Sequence, residues 1–248
     1  MITDADREEN VLLISPLFTQ EPRDGEWTLG NYQMGGLGEC ENGGEEISTF
    51  TFTERLVEKL HVCETFPNLK EIVLIGHSAG GQHVARYAGL TTLVEDYARF
   101  TFKFVPTNPS SWIFMDDQRL VDGEWTSDID DCSWYNSYGY GLRRVENNPF
   151  AEEHGVTAEL VREHWVSRNV VYFIGEDDNS DANGLDTGCA ATLQGEFRLQ
   201  RAINAYAHTM EFFPPVGDAI HELSQVPGVA HNHFGMYRAQ AGRRHILE

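Results

Sequence analysis

One serine stands where strand-like sequence meets helix-like sequence, in a setting that can turn its hydroxyl into a nucleophile. Ser78 is the centre of residues 76–80, Gly-His-Ser-Ala-Gly, which fit the pattern G-x-S-x-G between an apolar run and a helical stretch. A serine at so sharp a turn is held in a strained backbone, and the N-terminus of the following helix directs N–H groups at its oxygen. The pattern predicts acyl transfer, with the Ala79 N–H as one donor to the oxyanion.

A serine nucleophile needs a base that is itself held by an acid, and with this pattern the acid and then the base follow the serine along the chain. Asp178 stands after a second apolar run and is the expected acid, with Asp177 as the close alternative. His231 lies near the C-terminal end of the chain and is the expected base, in competition with His233. His77, next to the serine, is expected to contact substrate and shape its pocket.

Two metal interpretations compete with parts of this assignment. His231 and His233 are separated by one residue and can ligate a metal, but no further ligands can be identified for them. Residues 179–184 partly match a calcium loop, yet Ala190 stands where that loop requires a bidentate acid. We therefore expect a solvated acidic loop beside the triad acid, no metal, and no organic cofactor.

The spacing of apolar residues predicts the elements that bring these side chains together. Short apolar runs predict strands, and stretches with helical spacing predict helices between them. The predicted strands are 11–15, 72–75, 102–105, 170–174 and 222–226, and the predicted helices are 48–60, 82–88, 157–168 and 189–208. This alternation predicts an α/β fold with a mostly parallel central sheet, helices on both faces, and a site at the carboxyl ends of the strands. Residues 20–46 are expected to form a long loop.

Residues 112–150 are rich in aromatic side chains and show no clear period. We expect one domain, residues 1–248, in which this segment forms a cap or rim over the site. Trp112 and Tyr138 are its expected substrate contacts. The alternative is ordinary core packing, because aromatic side chains mostly fill cores.

Composition argues against several classes of function. The chain has 39 acidic and 18 basic side chains, a net charge of −21, which repels nucleic-acid phosphates and anionic membranes and favours neutral ester substrates. No apolar run approaches the roughly 18 residues of a membrane span. If Met1 is the natural start, the acidic first ten residues lack the pattern of a signal peptide and favour the cytoplasm. Nothing in the sequence indicates an oligomeric state.

Together these motifs resemble an α/β-hydrolase of the esterase/lipase type. The resemblance rests on residues 76–80, 175–178 and 228–231 and covers most of the chain from Val11 onward. It implies a serine hydrolase that cleaves small or polymeric carboxylic esters through an acyl-enzyme. The same triad can serve an amidase, a peptidase or a lactonase, and a catalytically silent member of the fold would instead bind a ligand or a protein.

Shorter motifs more narrowly resemble a little-characterised bacterial and fungal subgroup of that superfamily. They lie at residues 66–69, 86–88, 108–111, 140–142 and 194–201. Two cysteines occur together in that subgroup, and the matching positions here are Cys132 and Cys189. The resemblance therefore implies a disulfide between them, which would favour a secreted or periplasmic location over the cytoplasm.

The chain departs from this superfamily at its N-terminal end. The second oxyanion donor usually comes from a loop after an early strand, but only about ten residues precede the first predicted strand. Either the fold is shortened at its N-terminus, or N-terminal elements are missing from this chain. If the loop at 16–18 takes over, the donor is the N–H of Leu17 or Phe18, because Pro16 has none.

Overall fold

Four parallel strands form the centre of the computed structural model, which describes residues 10–16, 31–38, 46–62 and 64–248. In chain order the strands are β1 (Glu71–His77), β2 (Thr101–Thr107), β3 (Arg119–Val121), β4 (Glu124–Thr126), β5 (Val170–Gly175) and β6 (His221–Val226). The central sheet has the order β1-β2-β5-β6, and β3 and β4 form a separate antiparallel hairpin. Parallel neighbours require crossover connections, and helices supply them.

The helices alternate with the strands of the central sheet. They are α1 (Thr49–Leu60), α2 (Ala79–Leu90), α3 (Leu93–Asp96), α4 (Pro149–His154), α5 (Ala158–Ser167), α6 (Cys189–Thr192), α7 (Arg198–Phe212), α8 (His233–Arg238) and α9 (Gln240–Leu247). Local chemistry sets several of their starts. The Ser48 side chain accepts the N–H of Phe50 at the start of α1, and Thr157 accepts the N–H of Leu160 at the start of α5. None of the helices in this described part of the chain is long and apolar enough to span a bilayer.

The strand register brings the carboxyl ends of neighbouring strands level. His77 at the end of β1 is paired with Thr107 at the end of β2, and Gly175 at the end of β5 is paired with Val226 at the end of β6. Residues that directly follow these strands therefore meet along one edge of the sheet. That edge carries the candidate site.

Two apolar cores cover the two faces of the sheet. The larger contains Phe104, Tyr172 and Ile174 together with buried residues of α1, α2, α5 and α7. The smaller contains Val105 and Phe173 with residues of α8 and α9. Successive residues of a strand point to opposite faces, so a strand buried on both faces is a continuous apolar run. The predicted α/β architecture is confirmed.

Two of the predicted elements are wrong. Residues 11–15 form no strand, and Leu12, Leu13 and Ile14 are exposed, because an apolar run becomes a strand only beside a neighbour that completes its hydrogen bonds. The single helix predicted for 189–208 is two helices, α6 and α7. Gly195, with φ of 146°, separates them in a backbone conformation that a helix cannot contain.

Most of the expected long loop at 20–46 lies outside the described residues. In the part that is described, residues 32–34 form one turn of 3₁₀ helix, and Leu37 bridges to Ser48.

Candidate active site

Ser78 occupies the turn between β1 and α2 with backbone angles that few residues adopt. Its φ is 58° and its ψ is −118°, a conformation that costs about 1–3 kcal/mol unless the surroundings enforce it. The Ser78 N–H donates to the carbonyl of Thr107 (2.9 Å), which ties the turn to the end of β2. A Cβ added to Gly76 would lie 2.2 Å from the Gly80 carbonyl oxygen. The turn is therefore closed too tightly for any other residue at position 76.

At the start of α2, beside the serine, lie backbone N–H groups that have no acceptor within the helix. The first N–H groups of a helix have no acceptor within it, and α2 begins at Ala79. The Ala79 N–H is therefore available to an oxyanion formed at Ser78. The other expected donors, Leu17 and Phe18, lie outside the described residues, so the second donor stays a prediction.

Asp178 and His231 form a nearly buried hydrogen-bonded pair at the same edge of the sheet. Asp178 follows β5, His231 follows β6, and the His231 Nδ1 lies 2.8 Å from the Asp178 Oδ2. A carboxylate partner makes Nδ1 the donor, which leaves Nε2 as the proton acceptor. A Cβ on Gly175 would lie 2.1 Å from the Val229 carbonyl oxygen, so this glycine lets the loop bearing His231 approach β5.

The serine turn and the acid–base pair are adjacent but not joined by a hydrogen bond. The ring of His77, the residue before the serine, packs against the ring of His231 with centroids 4.5 Å apart. Among the residues that the structure describes, the Ser78 hydroxyl has no hydrogen-bond partner. Bonds of this kind are often long without substrate and tighten only in the complex.

The Asp178 carboxylate is held on both oxygens. Its Oδ2 also accepts the Asn108 side-chain N–H (2.5 Å), and its Oδ1 lies 3.5 Å from an Nη of Arg198. Burial alone would raise the pKa of Asp178, but the hydrogen bonds from His231 and Asn108 and the charges of His231 and Arg198 outweigh burial and lower it. The acid is therefore kept ionised and oriented toward His231.

His77 contributes a neutral ring. Burial, together with the nearby His231 and His233, lowers the pKa of His77 to about 3. Its Nε2 is buried and has no partner in the part of the chain described. His77 thus packs on the imidazole of His231 without adding a charge beside it at neutral pH, and its expected contact with substrate stays a prediction.

Trp112 and Tyr138, the expected substrate contacts, both have contacts within the protein, and their contact with substrate stays a prediction. Trp112 is fully buried and stacks on Tyr172 with ring centroids 4.7 Å apart, as an aromatic side chain in a core does. Tyr138 is half-buried and donates its hydroxyl to the carbonyl of Met34. The aromatic segment supplies side chains to the protein interior: Trp112 and Phe114 belong to the larger core, and Tyr135 packs with Cys132 and Ala190 in a separate cluster.

The disulfide implied by the resemblance is confirmed. Cys132 and Cys189 are joined, with their Cα atoms 6.0 Å apart. The bond ties the aromatic segment to the start of α6. Close by, the Gln194 side chain bonds both the N–H and the carbonyl of Trp112. Together they fix the segment against the helices behind Asp178.

Neither metal interpretation gains support from the geometry. Within the described ranges, no group of three or more His, Cys, Asp or Glu side chains is arranged to hold a metal ion. A surface cavity of about 490 Å³ lies beside the acidic loop. It is lined by Asn179, Ser180, Asp181, Leu185, Thr187, Thr192, Glu196, Phe197 and Arg201, so it adjoins Asp178 without including Ser78 or His231.

Sequence reasoning missed the roles of Asn108 and Arg198. Both stood in motifs that carried the family resemblance, but nothing about their types assigned them to Asp178. Asn108 lies directly after β2, the strand between the two that precede Ser78 and Asp178. Polar residues directly after each parallel strand are a signal that could have found it.

Known proteins match this chain in structure, whereas searches by sequence find no match. No family model and no curated protein sequence matches the chain. A poly(3-hydroxybutyrate) depolymerase from Bordetella parapertussis has a similar structure, with a TM-score of 0.55 and 21% identity over 87% of this chain. A poly(aspartic acid) hydrolase from Sphingomonas sp. KT-1 has a TM-score of 0.59 and 22% identity over 89% of this chain.

The chain spans 64% of the depolymerase structure and 72% of the hydrolase structure. At these identities the likeness is one of fold, and it agrees with the sheet and helices described above.

Proposed function

We propose that this chain, whose fold is that of the α/β-hydrolases, is a serine hydrolase that cleaves carboxylic esters through an acyl-enzyme. One observation carries the proposal: the buried Asp178–His231 hydrogen bond of 2.8 Å lies beside the strained turn that bears Ser78. A paired carboxylate and imidazole next to a serine on a tight turn make the constellation that acyl transfer requires.

The proposed reaction has two halves. The Ser78 oxygen forms a bond to the ester carbonyl carbon while His231 takes its proton, and the Ala79 N–H and a second donor bind the oxyanion. The carbon–oxygen bond to the alcohol then breaks, and the alcohol leaves with the proton from His231. Water attacks the acyl-enzyme with His231 again as base, which releases the acid and restores Ser78. Asp178 stabilises the charged imidazole in both halves.

Two features support a neutral ester as substrate. The net charge of −21 repels anionic substrates at low salt. One of the structural neighbours is a poly(3-hydroxybutyrate) depolymerase, and that substrate is a polyester.

Covalent labelling tests the proposal directly. A fluorophosphonate probe should add one adduct to the folded protein, detected by intact mass and located at Ser78 by peptide mapping. Ser78→Ala should show no adduct with an unchanged melting temperature. Folded wild type that stays unlabelled would contradict the proposal and favour a binding protein with this fold.

An amide bond is the second candidate, because the other structural neighbour is a poly(aspartic acid) hydrolase. Leaving-group chemistry separates the two candidates. Rates on a p-nitrophenyl ester, on the matched anilide and on a lactone of similar size should rank the ester first. An anilide or lactone rate equal to the ester rate would move the assignment to an amidase or a lactonase.

A further inference from the structure

Arg198 is a fully buried cation in contact with the loop that follows the proposed triad acid. It is the first residue of α7, and its guanidinium donates to the carbonyls of Ala182 (3.0 Å) and Asn183 (2.8 Å). The same Nη that binds Ala182 lies 3.5 Å from the Oδ1 of Asp178. One side chain thus touches both ends of the loop formed by residues 178–183.

The main chain of α7 holds the same aspartate. The N–H of Leu199, in the first turn of α7, donates to the carbonyl of Asp178 (3.1 Å). A helix N-terminus also favours a negative charge beside it. Asp178 is therefore attached to α7 through its backbone and through its side chain.

The guanidinium takes the place that a metal would take in such a loop. Residues 179–184 partly match a calcium loop, whose ion binds carboxylate and carbonyl oxygens. Here two carbonyls of that loop and the carboxylate before it face Arg198 instead. A planar fork with five N–H groups suits several oxygen acceptors at fixed angles.

We propose that Arg198 is a positioning residue for the triad acid, holding one carboxylate oxygen of Asp178 so that the other faces His231. The proposal rests on the proposed function, since it assigns Arg198 a part in the same relay. Arg198 contacts the Oδ1 of Asp178, whereas His231 and Asn108 both hydrogen-bond to its Oδ2. Without the guanidinium, the carboxylate could rotate and would accept a proton more readily.

The charged groups around the Asp178 carboxylate come from four elements. Arg198 faces it from α7 and His231 from the loop after β6. His77 at the end of β1 lies beside His231, and His233 at the start of α8 lies beside His77. Among these groups, Arg198 is the one that stays positively charged between about pH 4 and pH 9. Its removal should therefore shift the protonation of Asp178 in one direction, to higher pH.

The test compares Arg198→Gln with Arg198→Lys in the full chain. The rate of fluorophosphonate labelling at Ser78 is measured at pH 5 and pH 8. In Arg198→Gln the ratio of the pH 5 rate to the pH 8 rate should fall about tenfold below that of wild type, because Asp178 is then protonated at higher pH. Arg198→Lys keeps the charge and should keep the wild-type ratio.

Arg201→Gln is the matched control. Arg201 is also buried on α7, but within the part of the chain that the structure describes its guanidinium donates only to the carbonyls of Ser110, Gly195 and Glu196. Its replacement should lower the melting temperature and leave the pH ratio unchanged. An equal change of the ratio in Arg201→Gln, or no change in folded Arg198→Gln, would overturn the proposal. If Arg198→Gln does not fold, the test rests on Arg198→Lys. A ratio of the pH 5 to the pH 8 labelling rate equal to that of wild type supports the proposal, and a tenfold lower ratio overturns it.

A readout that needs no catalysis separates this proposal from the proposed function. The His231 Nδ1 proton, bonded to Asp178, should give a low-field NMR resonance in wild type. That resonance should move upfield or exchange away in Arg198→Gln and persist in Arg201→Gln. If wild type is never labelled, the proposed function fails, yet this resonance still reports whether Arg198 orients Asp178.

Discussion

At the scale of single residues, the candidate site is organised around one carboxylate. Asp178 has a contact for each oxygen, and each contact comes from a different element: Asn108 after β2, Arg198 on α7 and His231 after β6. Such a carboxylate is ionised and fixed before substrate arrives. This arrangement distinguishes Asp178 from its neighbour Asp177, which is exposed.

Asp178→Asn should lower kcat/KM on a p-nitrophenyl ester by about 10³–10⁴, because an amide neither stabilises the charged imidazole nor fixes its tautomer. Asp177→Asn is the matched control and should change kcat/KM by less than about threefold. Its backbone N–H binds the Val229 carbonyl, and that bond survives the substitution. Steady-state kinetics on both purified variants checks the ranking, and the reverse order would make Asp177 the acid.

The residue types of the site could be predicted from the sequence more readily than their partners. Ser78 and Asp178 each follow an apolar run, His231 follows the last predicted strand, and the order serine, acid, base can be read directly along the chain. Asn108 and Arg198 reach Asp178 only through the register of β2 with β5 and the docking of α7. Neither relationship is encoded by the spacing of residues within one element.

At the scale of elements, the strands that have a neighbouring strand on each side were predicted well. Some elements outside the regular central sheet were not. β5 is a continuous apolar run, buried along its whole length, because helices cover both faces of the sheet. The run at 11–15 has the same composition but no partner strand. α8 and α9 were not predicted, because segments of six and eight residues are too short for the helical period of apolar residues to be detected.

The turn at Ser78 makes a prediction about its glycines. A Cβ at Gly76 would lie 2.2 Å from the Gly80 carbonyl oxygen, and one at Gly81 would lie 2.6 Å from that of Thr107. A Cβ at Gly80 meets nothing within 4 Å. Gly80→Ala should therefore fold with equal or higher stability, whereas Gly76→Ala and Gly81→Ala should each lose about 1–3 kcal/mol. Urea unfolding of the three variants measures this, and a Gly80→Ala variant as unstable as the other two would refute it.

The contact between α1 and α2 buries a carboxyl group that makes stability depend on pH. Burial raises the pKa of Glu54 to about 7, although a hydrogen bond from Thr91 opposes the rise. Because the folded pKa exceeds the unfolded one, the folded state binds more protons between about pH 4.5 and pH 7, and this group makes the protein less stable as pH rises through that window.

Glu54→Gln should consequently raise the free energy of unfolding by about 1–3 kcal/mol at pH 8 and leave it nearly unchanged at pH 4.5. Urea denaturation at both pH values measures the difference. Glu152→Gln, an exposed position on α4 whose charge does not act on Glu54, is the control and should have a small effect at either pH. A gain of equal size at both pH values would show that Glu54 is not the group responsible.

At the scale of the whole molecule, the disulfide joins parts of the chain that are 57 residues apart. Cross-links of that span stabilise by about 2–4 kcal/mol, mainly by restricting the unfolded chain. A disulfide persists in oxidising surroundings, so we propose that the protein works outside a reducing cytoplasm.

The double variant Cys132→Ser/Cys189→Ser should melt about 4–8 °C below oxidised wild type, as a loss of about 2–4 kcal/mol implies for a chain of this size. Wild type in reductant should melt at the temperature of the double variant. Differential scanning calorimetry with and without reductant compares the three samples. Equal melting temperatures for oxidised wild type and the double variant would contradict a stabilising role.

Each strand of the central sheet is followed by one residue of the site: Ser78 after β1, Asn108 after β2, Asp178 after β5 and His231 after β6. The exposed turn of the hairpin, Asp122–Gly123, lies along the chain between the first pair and the second. A chain cut there would leave Ser78 on one fragment and Asp178 with His231 on the other. On the proposed mechanism neither fragment can turn over an ester alone, so this turn is a suitable cut site for a split reporter whose signal appears only on reassembly.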